Sequence, residues 1–234
     1  NHFTYGVAFF QRGYLDEAIA AFRRVVAQDP QHADAHYNLG TLYLSKKMSA
    51  DARGHLLRAV EIRPGYADAL NNLGLLAAEE GNSQDAVRYL EAALQRNPDY
   101  SIALQNLGNL YRREGRFHQA RAALERAVKL DPEDAEANYS LGMLFAQQND
   151  PETARRYLET ALRLRPAYPE ALNNLGVLNM LTGKPAEALA NFQECIRVAP
   201  DFDQPYINLA RAYVSRGEQH KAEAILRQLL ARNP

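Results

Sequence analysis

Apolar residues recur at helical spacing in paired segments along the whole chain. The segment 101–114 carries an apolar stripe whose members are one to three residues apart, which predicts an amphipathic α-helix. That stripe consists of Leu104, Leu107, Leu110 and Tyr111. The segment 117–130 carries a second stripe, formed by Ala120, Leu124, Ala127 and Val128. We therefore predict a helix pair, helix A and helix B, with Gly115 in the turn between them and Pro132 directly after the second helix.

The same pattern recurs every 34 residues from one end of the chain to the other. Proline closes each repeat, at Pro30, Pro64, Pro98, Pro132, Pro166, Pro200 and Pro234. Alanine precedes each proline by twelve residues, at Ala18, Ala52, Ala86, Ala120, Ala154, Ala188 and Ala222. A small residue recurs within helix A, at Gly6, Gly40, Gly74, Gly108, Gly142, Gly176 and Ala210. A fixed period of this length indicates stacked repeats. Small residues at fixed points predict a close crossing of helices A and B, where larger side chains would overpack.

Residues that tolerate a left-handed conformation stand at the predicted end of most helices A. Glycine takes this place at Gly13, Gly81, Gly115, Gly183 and Gly217, and Asn149 takes it in the fifth repeat. Lys47 takes it in the second repeat, which predicts a slightly strained turn there.

The period predicts an all-α fold and a single repeat domain over residues 1–234. The approximate repeat bounds are 1–32, 33–66, 67–100, 101–134, 135–168, 169–202 and 203–234. Aromatic residues stand two positions after four of the prolines, at Tyr66, Tyr100, Tyr168 and Phe202. We expect them to pack as bridges to the next helix A, although contact with a ligand is an alternative.

These residues resemble the tetratricopeptide repeat family over essentially the whole chain. The match rests on Leu107, Gly108, Tyr111, Ala120, Leu124, Ala127 and Pro132 and on their equivalents in the other repeats. The large aromatic residue that the family often has at position 4 of the repeat is replaced in most repeats, while Tyr206 is nearest to the family pattern. The resemblance implies a right-handed α-solenoid of seven tandem helix-turn-helix repeats, with helix A lining a concave groove. It also implies a protein that binds partner proteins, usually peptide segments, and performs no chemistry itself.

Asparagine recurs at one position in the middle of helix A. At position 6 of the repeat the chain has Asn38, Asn72, Asn106, Asn174 and Asn208, with Ser140 and Thr4 as the exceptions. Asparagine is a mediocre helix former, so its recurrence here calls for a reason. Its amide can pair with both the donor and the acceptor of a peptide group, so a row of such amides could hold an extended peptide by its main chain. The row is similar to the asparagine ladder of the O-linked N-acetylglucosamine transferases. The alternative is that each Asn bonds to a neighbouring helix A and orders the repeats.

Other residues of helix A set the expected chemistry of the predicted groove. Asn109, Arg112 and Arg113 form a polar, cationic patch that could bind a carboxylate or could be solvated at the helix end. Apolar contacts are predicted from Val7, Leu75, Met143, Val177 and Met180. Acidic residues stand in the first turn of helix A in four repeats, where they interact favourably with the helix dipole: Asp34, Asp68, Glu136 and Glu170. Because position 5 holds no lysine in any repeat, a clamp for a carboxyl-terminal tail is not predicted.

Composition narrows the functional classes. The net charge of −1 argues against nucleic acid or an anionic membrane as partner, and no apolar run is long enough to predict membrane insertion. No catalytic group, cofactor or metal site is predicted, because Cys195 replaces a small packing residue and the six histidines are expected on different faces. His32 and His36 are four residues apart, but they straddle the start of a helix and have no third ligand nearby in the sequence. The chain starts without Met, which suggests a fragment or a processed product.

The sequence therefore predicts a non-enzymatic scaffold that binds an extended peptide of a partner protein in the groove of helices A. Two alternatives stay open. One is a substrate-recruiting region of a larger enzyme, such as a glycosyltransferase. The other is a scaffold that self-associates end to end, because Ile225, Leu229 and Leu230 would be partly exposed in the last helix. The partner and the pathway are not determined, and a cytoplasmic location is favoured over a periplasmic one.

Overall fold

The computed structural model describes residues 1–232, and within them all regular structure is α-helical, in fourteen helices. The all-α prediction is thus confirmed, as is the recurrence of seven helix pairs. The chain divides into two compact units, Asn1–Glu114 and Gly115–Pro234. The single domain over residues 1–234 stays a prediction.

The first unit contains seven helices, in which α1–α2, α3–α4 and α5–α6 form helix pairs and α7 packs on α6. Their bounds are α1 His2–Gln11, α2 Leu15–Gln28, α3 Ala33–Ser45, α4 Ser49–Ile62, α5 Ala67–Glu79, α6 Ser83–Arg96 and α7 Ser101–Arg113.

The second unit begins with α8, which packs on α9, and continues with the pairs α9–α10, α11–α12 and α13–α14. The bounds are α8 Phe117–Leu130, α9 Ala135–Gln147, α10 Pro151–Leu164, α11 Pro169–Leu181, α12 Pro185–Val198, α13 Gln204–Ser215 and α14 Gln219–Arg232.

The turns after helix A have the predicted left-handed residue. Lys47 (φ 58°) and Asn149 (φ 57°) are the non-glycine residues with positive φ among residues 1–232. Asparagine adopts this left-handed conformation more readily than most non-glycine residues, whereas lysine has no such preference and bears the steric cost. The strain predicted at Lys47 therefore agrees with its backbone geometry.

Helices A and B cross so closely that the recurring small residues are required. A β-carbon added at Gly176 would lie 2.5 Å from Cε1 of Phe192, and one added at Gly40 would lie 2.6 Å from Cγ of Leu56. Ala52 and Ala154, from the recurring alanines of helix B, are fully buried. The predicted crossing is confirmed within both units, because no side chain larger than these would fit without moving its neighbours.

Candidate functional site

The helices A of one unit lie next to each other and present a common surface, here called the helix A face. In the first unit it is formed by α3, α5 and α7, and in the second by α9, α11 and α13. Positions are counted from the first residue of each predicted repeat, so that Ala33 and Ala67 are at position 1, except in the first repeat, where Asn1 is at position 3.

In the first unit the asparagines of this face form a continuous chain of hydrogen bonds. Nδ2 of Asn106 donates to Oδ1 of Asn71 at 2.9 Å, and Nδ2 of Asn71 donates to Oδ1 of Asn72 at 3.4 Å. Nδ2 of Asn72 then donates to the hydroxyl of Thr41 at 3.4 Å, and that hydroxyl donates to the Tyr37 carbonyl at 3.1 Å. The amides thus link α7, α5 and α3.

The second unit repeats the arrangement with one substitution. Asn208 donates to Oδ1 of Asn173 at 2.8 Å and links α13 to α11. Asn174 donates to the hydroxyl of Tyr139 at 2.9 Å and links α11 to α9. The hydroxyl of Tyr139 therefore accepts the same interhelical hydrogen bond that Oδ1 of Asn173 accepts in the next repeat.

The predicted row thus orders neighbouring helices, which is the alternative that the sequence left open. Asn38 differs, because its amide donates to the Asp34 carbonyl of its own helix at 2.7 Å. Ligand-binding capacity nevertheless remains. The amides are half-buried, each bond uses one of their two N–H groups, and within residues 1–232 Oδ1 of Asn106 and of Asn174 accepts no hydrogen bond from the chain. The role of these residues in peptide binding stays a prediction.

Sequence reasoning missed the residues at position 5 that receive these bonds. Asn71 and Asn173 are buried, with 3% and 7% of their surface exposed, and Gln105 at the same position is also buried. Buried amides need hydrogen-bond partners. The signal was present in the sequence, since an amide at position 5 precedes Asn at position 6 in three repeats: Asn71–Asn72, Gln105–Asn106 and Asn173–Asn174.

Asn109, Arg112 and Arg113 lie in the second half of α7, as predicted. Asn109 and Arg112 are half-buried and Arg113 is exposed. The two arginines occupy the last turn, where cations interact favourably with the helix dipole. Binding of a carboxylate by these residues stays a prediction.

The acidic residues in the first turn of helix A bond to other residues of the chain. Asp34 accepts two hydrogen bonds of 3.0 Å from the guanidinium of Arg63 and one of 2.8 Å from the hydroxyl of Tyr66. The bonds from Arg63 hold the pKa of Asp34 below its usual value. Tyr100 donates likewise to Asp68 at 2.6 Å. The hydroxyls of Tyr66 and Tyr100, which precede α5 and α7, thus bond to the preceding helix A. The predicted packing on the next helix A is confirmed for Tyr66, which packs against a cluster that includes Ala69 and Leu73 of α5, and for Tyr168, which clusters with Ala171 of α11.

The apolar residues predicted for this face surround a hollow in the second unit. Its volume is about 150 Å³, and its lining residues come from three helices. They are Val177, Met180, Leu181, Phe192, Asn208, Arg211 and Ala212. Val177 and Met180 were expected as contacts, whereas Leu181, which is 79% exposed, and Arg211 were not. In the first unit, Leu75 is the corresponding residue to Val177 and is 38% exposed.

A second, larger hollow of about 410 Å³ lies between α13 and α14, with Ile207, Val214 and Leu226 among its lining residues. Leu226 is 40% exposed, although the residues at its position in the six preceding repeats are buried. The predicted exposure of the last helix is confirmed at Leu230, which is 68% exposed, and Ile225 and Leu229 are half-buried.

Two histidines that were expected on different faces contact each other. Nδ1 of His36 lies 3.0 Å from Nδ1 of His55, and Nε2 of His36 lies 3.2 Å from the Pro30 carbonyl. Because that carbonyl can only accept, a neutral His36 carries its proton on Nε2, and His55 donates to its Nδ1. The expectation of scattered histidines was wrong here because position 4 of helix A faces position 23 of helix B. Within residues 1–232 no three potential metal ligands come together.

The histidine pair predicts a loss of stability in mild acid. Burial lowers the pKa of both side chains, and in His55 the neighbouring His36 adds to the effect. The unfolded chain therefore binds more protons below pH ~6.5, so this stability is present above that pH and is lost as the pH falls through the folded pKa values. We expect the melting temperature to fall less between pH 7.5 and 5.5 in His55→Tyr, since Tyr89 and Tyr157 occupy the same position in other repeats.

Thermal unfolding at several pH values measures this effect, with His118→Gln as the control because His118 is exposed. Equal pH dependence in His55→Tyr and the wild type would contradict the assignment.

Cys195 is a packing residue, as predicted. It is fully buried, and its thiol donates to the Pro169 carbonyl at 3.1 Å. Burial raises the pKa of the thiol to about 11, so it stays protonated at neutral pH.

Comparison with known proteins decides the family. A tetratricopeptide repeat model matches residues 4–67, 105–155 and 141–203, more than half of the chain, and two further models of this repeat match residues 179–234 and 67–100. The chain belongs to the tetratricopeptide repeat (TPR) family. TPR domains mediate protein–protein interactions, and the matching models describe this repeat, with no enzyme family among them. No curated protein matches the chain significantly.

Solved structures show the same fold. The crystal structure of the APC/C hetero-tetramer Cut9–Hcn1 contains a chain that matches with a TM-score of 0.84 and 18% identity, over 97% of this chain and 45% of that one. The PilF protein of Pseudomonas aeruginosa matches with a TM-score of 0.76 and 23% identity, over 87% of this chain and 92% of that one. YrrB, described as a TPR protein with an unusual peptide-binding site, matches with a TM-score of 0.60 and 22% identity, over 79% of this chain and 95% of that one. These likenesses show the fold alone.

The described helices were compared with the requirements for crossing a membrane. In residues 1–232, none of them combines the length and the apolar character needed to cross a bilayer.

Proposed function

We propose that this TPR protein binds an extended peptide segment of a partner protein on its helix A face, as a non-enzymatic scaffold. The proposal treats residues 1–234 as one repeat domain. The observation that carries it is the row of half-buried asparagines, because Asn106 and Asn174 keep an unoccupied acceptor and a second N–H beside the surface. One donor and one acceptor match the main-chain groups of a peptide.

Two further observations support a peptide as the ligand. The amides on the face already bond to neighbouring helices, so they are held in place before a ligand arrives, and binding then costs less side-chain entropy. YrrB, which has a similar fold, is described as having a peptide-binding site.

We expect the double variant Asn72→Ala, Asn106→Ala to bind peptide ligands more weakly by about 1 kcal/mol for each lost hydrogen bond. An array of peptides would first identify ligands of the wild type. Fluorescence anisotropy with labelled peptides from that array would then compare the affinities of the variants.

Asn71→Ala is the matched control because it removes the bond between Asn106 and Asn71 from the buried side. A purely structural role predicts that Asn71→Ala and Asn106→Ala lose binding equally, whereas a ligand role predicts a larger loss in Asn106→Ala. Unchanged affinity in a folded double variant would place the binding site elsewhere, for example at the exposed surface of α13 and α14.

A further inference from the structure

The 150 Å³ hollow of the second unit arises from specific departures from the repeat. Ala212 stands at position 10 of α13, where five other helices A have a buried leucine: Leu42, Leu76, Leu110, Leu144 and Leu178. The smaller side chain leaves space that leucine fills elsewhere. Phe192 of α12 and Val177 of α11 complete the apolar wall.

The rim of this hollow is unusually apolar for an exposed surface. Leu181 stands at position 13, which is polar or charged in the other six repeats: Gln11, Ser45, Glu79, Arg113, Gln147 and Ser215. It is nevertheless 79% exposed, more than any other large apolar side chain of the described residues. An exposed apolar residue beside an apolar hollow is typical of a ligand-binding site.

A cation stands at the same rim. Arg211 is exposed, and within residues 1–232 no carboxylate pairs with it. Other arginines of the chain do have such partners, as Arg63 has in Asp34 and Arg232 has in Asp201. The charge of Arg211 is thus available to a ligand that occupies the hollow.

We propose that the hollow anchors a leucine or phenylalanine side chain of the partner peptide and that Arg211 binds an acidic residue next to it. This inference rests on the proposed function. An apolar cavity of roughly this volume accepts a benzene-sized group. An extended peptide advances by about 3.3 Å per residue, so the acidic residue lies within about two residues of the anchor. Asn208, which lines the hollow, is placed to bond the peptide main chain beside the anchor.

The test uses a random peptide library displayed on phage and selected on the full chain. The expected ligands contain Leu or Phe with Asp or Glu within two residues. With a fluorescein-labelled selected peptide, Ala212→Leu should weaken binding at least tenfold because it fills the hollow with the side chain that other repeats have there. Arg211→Gln should weaken it about fivefold, and Arg211→Glu should recover binding to a peptide whose acidic residue is replaced by Lys.

Matched controls separate the site from general effects. Ala190→Leu makes the same change as Ala212→Leu on the exposed surface of α12, and Arg227→Gln removes an exposed arginine of α14. Both should bind as the wild type does. If Ala212→Leu fails to fold, Leu181→Ser replaces it, because an exposed serine occupies this position at Ser45. Leu181→Ser should weaken binding several-fold.

The outcomes distinguish this inference from the proposed function. Selected peptides that lack the apolar–acidic pair, or that bind Ala212→Leu and Leu181→Ser as tightly as the wild type, would overturn the inference. The proposed function would stand in that case if Asn72→Ala, Asn106→Ala still weakens binding. A library that yields no ligand would overturn both.

Discussion

Replacing Leu73 with alanine will lower the free energy of unfolding by about 2–5 kcal/mol. Leu73 is at position 7 of α5, is fully buried, and packs in one cluster with Leu56, Ala59 and Ala69. The cluster joins α5 to α4, the second helix of the preceding pair. Truncation removes buried apolar surface and leaves a cavity that these helices fill only in part.

Urea denaturation followed by circular dichroism measures the effect. Leu75→Ala is the matched control, since it makes the same change on the same helix at a residue that is 38% exposed. That variant should differ from the wild type by much less. Equal losses in the two variants would show that position 7 is not part of the core of the repeat.

Replacing Gly176 with valine will lower the free energy of unfolding by about 1–3 kcal/mol. The new β-carbon would lie 2.5 Å from Cε1 of Phe192 and 2.8 Å from its Cδ1. Phe192 is 1% exposed, so its ring can move aside only by displacing other core residues. Overpacking at the crossing of α11 and α12 is the physical cause.

Gly54→Val tests whether this loss comes from the crossing or from valine in a helix. Gly54 lies inside α4, and a β-carbon added there would have no neighbour within 4 Å. We expect the stability of this variant to change by less than about 0.5 kcal/mol, as is usual for exposed sites. Thermal and urea unfolding of both variants gives the comparison. A similar loss of stability in Gly54→Val would contradict a close crossing of α11 and α12 as the cause.

Local signals allowed much of the fold to be predicted. The helix A turn needs a residue with positive φ, and glycine or asparagine at that point marks it in the sequence. The segment 117–130 was predicted as a helix and is α8, Phe117–Leu130. Such features depend on residues close together in the chain, so the sequence shows them directly.

The candidate site was only partly predictable, because its contacts join residues from different repeats. The row of asparagines was visible as a repeated residue, but its bonds to Asn71 and Asn173 depend on how neighbouring helices are aligned. His36 and His55 belong to one repeat, and their contact depends on how α4 packs on α3 within it.

The sequence by itself determined the repeat, the helix pairs and the small residues between them, since a pattern that recurs seven times specifies the same local structure each time. Only the tertiary structure decided which side chains meet across repeats and where space remains. Ala212 reads as one more small residue, and it creates a hollow because the leucine of five other repeats is missing there while Phe192 and Val177 stay in place. A cavity is a property of three helices packed together, so no single stretch of sequence contains it.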